Sequence, residues 1–240
     1  MTKSVSILAA VSSMFAFPQA FSKQAQVFDW FTYYYRKPEP TRVAQAVRFM
    51  SEAGLFKDVN VAPPVVGFLA GVLGSAPVKA RELSTELLFL PEREQPMIVR
   101  AIWYSGLADA RSILEELRPS LPSQKRYIEE LLSHKPPRVA ELEPEQGSWV
   151  MDMLWGFFMA TGSEEPVARI IGVLKSKAIQ RNSPRLTTGD LAHWSLTSNA
   201  IQHERVLEIC KSQLPTQKPE IAAILKDIVR IAEGQRAGGK

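Results

Sequence analysis

Trp149-Val-Met-Asp-Met-Leu-Trp-Gly-Phe-Phe-Met-Ala-Thr161 runs straight into Gly162-Ser163-Glu164-Glu165-Pro166. The first part carries one charge, Asp152, and is apolar on nearly every side whichever period is tried. It is too long for an ordinary strand, and a helix that is hydrophobic all round belongs at the centre of a core. Gly162 ends it. Ser163 can cap a second helix, with Glu164 and Glu165 in its positive first turn and Pro166 where proline is tolerated. Trp149, Leu154, Trp155, Phe158, Ile170 and Leu174 are therefore expected in the core.

The same grammar extends outward in both directions. Val43, Ala46, Val47 and Met50 fall at i, i+3, i+4, i+7, with Thr41 as the expected N-cap and Gly54 after the end. Ala110, Ile113, Leu114 and Leu117 repeat that spacing before Pro119, and Ile221, Ile224, Leu225 and Ile228 repeat it before Gly234. Neither a sustained two-residue alternation nor an Asn-Gly or Asp-Gly turn occurs, so strand signals are scarce. About twelve helices of ten to sixteen residues are expected. Most breaks are short and hold Pro or Gly, as at Lys37-Pro38-Glu39-Pro40, Pro63-Pro64, Ala76-Pro77 and Lys135-Pro136-Pro137. Short breaks make sequential helices antiparallel. The expected class is all-α: stacked antiparallel helical hairpins, either solenoid-like or a right-handed array. An aromatic helix precedes an aliphatic one around Trp30, Trp155 and Trp194, a faint and irregular repeat. The segment 135–144 is the expected hinge of a single domain covering 23–240.

A second uncharged stretch, Asn60 to Val78, is opened by Pro63-Pro64 and closed by Pro77. That leaves about ten helical residues, too few to span a membrane. Its Gly67-Phe-Leu-Ala-Gly71 spacing lets helices approach closely.

The amino terminus reads as an export signal. Lys3 precedes an apolar core from Val5 to Phe17, Pro18 breaks it, and Ala20-Phe21-Ser22 puts small residues where a signal peptidase reads. Residues 1–22 form the expected signal peptide, cleaved after Ser22, with Pro18-Gln-Ala20 as the competing site. The mature chain would then be periplasmic or secreted, with no membrane span.

At 240 residues, 45% hydrophobic and 22% charged, the composition is that of an ordinary globular protein. The formal charge is +4, and loss of residues 1–22, which hold one Lys and no acid, leaves +3. That is short of a nucleic-acid binder's excess and supports no more than weak contact with an anionic surface. The single cysteine, Cys210, rules out an intramolecular disulfide and fits a buried, inert thiol.

Phe31-x-Tyr33-Tyr-Tyr-Arg-Lys-Pro38-Glu-Pro40, Pro64-Val-Val-Gly67-Phe68-Leu-Ala and Leu154-Trp-Gly-Phe-Phe-Met-Ala-Thr161-Gly162 resemble blocks that recur, in that order, in uncharacterised exported bacterial proteins. The resemblance covers residues 29–175. It implies an all-helical fold and a bacterial source, and it transfers no active site. A tetratricopeptide likeness is weaker, because the spaced Trp/Gly/Tyr/Ala/Pro pattern does not recur at a fixed period.

No motif carries chemistry. His134, His193 and His203 form no His-Glu-x-x-His pair and no Cys/His cluster, and they read as surface or capping residues. Ser105-Gly106 lacks the nucleophile-elbow frame, and no Gly-rich phosphate loop occurs. No catalytic, metal or cofactor residue is expected. Two groups instead suggest a partner. Six aromatics lie between Phe28 and Tyr35, more than one helix face can bury. From them Trp30, Tyr33, Tyr34 and the following Arg36 are candidate anchors for a protein. The acid-free segment Val167–Gly189 offers Lys175, Lys177, Arg181 and Arg185 as an electropositive strip. The expected function is a non-enzymatic, exported scaffold binding a protein in the bacterial envelope. An inhibitor of an exported toxin and a hydrolase of envelope polymers are the alternatives.

Overall fold

The computed structural model describes residues 21–179 and 187–238. Helices are α1 (Gln24–Tyr33), α2 (Val43–Glu52), α3 (Ala62–Ser75), α4 (Pro77–Glu86), α5 (Pro96–Tyr104) and α6 (Ala110–Leu117). They continue as α7 (Lys125–Leu132), α8 (Ser148–Thr161), α9 (Glu164–Ile179), α10 (Thr188–Gln202), α11 (Glu204–Gln213) and α12 (Pro219–Gly238). Short 3-10 turns fill many of the breaks, and the described residues contain no strand. The protein is all-α. None of the described helices is long and apolar enough to cross a membrane.

The centre of the molecule is the pair α3 and α8, the two helices without a polar face. From Val65 to Leu73 every residue of α3 is buried. Along α8, Val150, Leu154 and Phe158 are wholly excluded from solvent. Pro63 and Pro64 lie in the first turn of α3, where a missing N–H costs nothing, so the helix starts earlier than Pro64 and runs 14 residues. The two backbones meet at glycines. A Cβ on Gly67 would stand 2.6 Å from the Met153 carbonyl carbon and overlap its oxygen. One on Gly156 would stand 2.9 Å from the Phe68 nitrogen and overlap the Pro64 carbonyl oxygen. Helices packed this closely gain dispersion along their whole crossing. The contact joins elements far apart in sequence, which a linear array of repeats does not require.

The remaining helices wrap this pair. α5 also packs on α3, and α9 through α12 form a C-terminal group in which α10 touches α9, α11 and α12. Gly162 adopts the left-handed conformation and closes α8, and the Ser163 hydroxyl accepts the Glu165 N–H at 3.4 Å, as the sequence indicated. Thr41 does not cap α2; it lies inside a 3-10 turn at 40–42, and α2 follows without a side-chain cap. The core expectation holds for Leu154, Trp155, Phe158, Ile170 and Leu174. It fails for Trp149, which is 38% exposed because it sits in the first turn of α8, outside the α3 crossing. The segment 135–144 lies against α9. Val139 is fully buried, the Arg169 Nε–H donates to the Ala140 carbonyl at 2.8 Å, and Arg138 pairs with Glu165 at 3.4 Å.

Candidate functional site

The aromatic block is divided by a change of helix type. α1 ends at Tyr33 and the chain tightens into a 3-10 turn over Tyr34–Arg36. The shorter repeat turns consecutive side chains through wider angles, so the aromatics leave in two directions. Phe31, Tyr34 and Trp30 pack on Phe68 of α3, with ring centroids 4.3, 4.9 and 5.9 Å away. Tyr34 is 3% exposed, and burial with the nearby Glu39 carboxylate raises its phenol to about 12. This corrects its candidacy as a surface anchor: it is a core residue. Trp30 is half-buried, and its indole N–H donates to Glu39 Oε2 at 2.9 Å.

Tyr33 and Tyr35 turn the other way, to the corner between α10 and α11. His203 occupies that corner with no exposed surface, its ring 5.2 Å from Tyr33, 5.8 Å from Tyr35 and 5.7 Å from Phe158. The surface role expected of this histidine is therefore corrected. Its Nδ1 shares a hydrogen bond with the Tyr35 hydroxyl at 3.3 Å, and its Nε2 has no partner. Burial first, then Arg36 and Arg236, depress its pKa to about 4, so the imidazole is neutral near pH 7.

Above this buried floor is a polar surface. The exposed Arg36 guanidinium stacks over the Tyr33 ring at 4.3 Å, and its Nε–H donates to the Tyr35 hydroxyl at 3.4 Å. No carboxylate of the described residues is within ion-pair distance of Arg36. Arg236, whose charge also acts on His203, donates to the Ile201 carbonyl at 2.7 Å and pairs with Glu204 at 3.6 Å. The first contact satisfies an end carbonyl of α10. Tyr33 and Arg36 thus come together as candidates, and Glu204 and Arg236 join them from the other end of the chain. Sequence spacing gave no signal for that junction.

The basic strip is different. Lys175 pairs with Glu145 at 2.8 Å, and Lys177 with Asp190 at 2.7 Å. The hydrogen bond from Lys177, with those from Thr187, holds the Asp190 carboxyl far below its ordinary range. Arg169 meets Glu143 at 3.4 Å. The absence of acids within the segment concealed acids that other segments bring to it, so these cations are locally neutralised. Arg181 and Arg185 lie outside the described residues.

The described residues contain no group of three or more His, Cys, Asp or Glu arranged to hold a metal. Cys210 is fully buried and burial raises its thiol to about 12. Comparisons with protein-family models, with curated proteins and with solved structures find no match to this chain.

Proposed function

We propose that this is an exported, non-enzymatic helical protein that binds another protein in the bacterial envelope, using the surface formed by Tyr33, Arg36, Glu204 and Arg236. The observation that supports this reading is Arg36. Two tyrosines hold its guanidinium flat and exposed, with its outer nitrogens free of any carboxylate. A stacked arginine loses less side-chain freedom on binding than a free one, and Arg with Tyr is the pairing that anchors interfaces.

The mature protein with a photo-crosslinker in place of Arg36, incubated with envelope extract, should trap one discrete partner. Tyr33→Ala with the same crosslinker should lower the yield. Equal trapping by a crosslinker at the remote, exposed Val78 would overturn the site. Export is tested by intact mass. The Phe21 ring packs edge-on to Trp30 at 5.4 Å with Arg42 over it at 4.4 Å. Processing after Ala20 would keep that contact and processing after Ser22 would remove it. A full-length protein confined to the cytoplasm would defeat the export reading.

A further inference from the structure

Away from that surface, α5, α7 and α8 converge on a cleft of about 300 Å³ lined by Arg100, Tyr104, Tyr127 and Trp149. Its geometry follows from local sequence. Arg100 and Tyr104 are four apart on α5 and so share a face. Trp149 is the second residue of α8 and follows closely on Gly147, whose φ is 150°. A Cβ at Gly147 would press 2.9 Å from the Trp149 ring, so glycine is what lets the indole lie back over the chain. The Arg100 Nε–H donates to the Tyr127 hydroxyl at 3.0 Å, which fixes the guanidinium, and its two outer nitrogens have no hydrogen-bond or ion-pair partner among the described residues. Tyr104 is half-buried, and burial and Tyr127 raise its phenol pKa, so it stays a neutral hydroxyl. No acidic side chain lines the cleft.

We propose that this cleft binds an acidic sugar, a pyranose ring bearing a carboxylate. A guanidinium with two open donors and no competing acid selects an anion, with planar geometry that matches a carboxylate. Three aromatic rings supply flat apolar surface, and the phenols supply hydroxyl donors and acceptors. A purely aromatic acid would need most of its surface buried, and a cleft with an exposed Arg100 and a Trp149 that is 38% exposed does not enclose it. A pyranose suits an open cleft. It stacks its C–H face on the indole and keeps its outer hydroxyls in water. The volume lies at the small end for ligand sites, which fits one or two rings.

The test uses the mature protein and ligand-observed saturation-transfer NMR with D-glucuronate, D-glucose and benzoate. Saturation should reach the glucuronate ring protons, and glucose should bind about tenfold or more weakly for want of the charged hydrogen bonds. Arg100→Gln should remove the preference for glucuronate. Trp149→Ala should weaken both sugars, and Trp149→Phe should restore part of the loss. Circular dichroism should show all three variants folded, since each changes only cleft-lining surface. Equal binding of glucose and glucuronate, preference for benzoate, no transfer to any ligand or to a glucuronate oligomer, or binding unchanged in the folded variants would each overturn the assignment. None of these outcomes bears on capture of a protein partner at Arg36.

Discussion

Replacing Gly67 by Ala adds one methyl group, and two effects of opposite sign compete. Alanine is the better helix former by about 1 kcal/mol. Against that, the new Cβ would lie 2.6 Å from the Met153 carbonyl carbon and 2.8 Å from its Cα, where ordinary contact begins at 3.4 Å. The overlap with the Met153 carbonyl oxygen is tighter still, so the helices must separate by at least the 0.8 Å difference. The obstacle is backbone, so no side chain can rotate away. Separation also loosens the crossing along its length, with the loss of dispersion that even a sub-ångström gap entails. Overpacking costs about 1–3 kcal/mol and more where the site cannot yield. Gly67→Ala is therefore expected to destabilise by about 2 kcal/mol or more, and Gly156→Ala similarly. Gly172→Ala provides the control. It is also inside a helix, but nothing lies within 4 Å of its added Cβ. Only the propensity acts there, and a gain of about 0.5–1 kcal/mol follows. Urea unfolding followed by circular dichroism measures all three. With a slope of about 2 kcal/mol per molar, the Gly67 variant should lose about 1 M in midpoint. A Gly67→Ala protein as stable as wild type, or shifted in the same direction as Gly172→Ala, would refute the account of the central crossing.

The His203 imidazole is depressed from 6.5 to about 4, so the folded state binds fewer protons than the unfolded state between those values. Its contribution is fully present above pH 6.5 and is lost as pH falls to 4, by roughly 3 kcal/mol. His203→Phe should flatten that loss in urea midpoints taken at pH 7.5 and 4.5; parallel losses would rule the histidine out as its source. Trp155 is 6% exposed and its indole N–H has no partner, so Trp155→Ala should cost about 3–5 kcal/mol while Trp155→Phe costs much less. Trp149→Ala should stay within about 0.5 kcal/mol of wild type, and a neutral Trp155→Ala would refute the core. Cys210, buried with a thiol pKa raised to about 12, should resist a thiol reagent until urea unfolds the chain. Rapid labelling of the native protein would contradict that burial.

Local chemistry was legible wherever a residue acts on its immediate neighbours. The all-α class followed from spacing, the end of α8 from Gly162, and the start of α9 from Ser163, Glu164 and Glu165. The burial of Leu154, Trp155 and Phe158 followed from a helix with no polar side. The small-residue pattern in α3 announced a close approach, though not its target, because nothing in a one-dimensional pattern says which distant helix carries the complementary glycine. The same limit governs the sites. Lys175 and Lys177 stand in an acid-free segment, yet Glu145 and Asp190 neutralise them, because charge compensation is decided by distance in space. Trp149 shares the composition of its helix, but the crossing with α3 ends before reaching it, leaving the indole to the cleft. From its sequence neighbours His203 reads as a surface or capping residue. Only the return of Tyr33 and Tyr35 from the other end of the chain encloses it, and desolvation then makes it neutral. Periodicity fixes which face of an element is apolar, whereas the pairing of faces depends on long-range contacts, and those decide which groups are buried, paired or left free to bind.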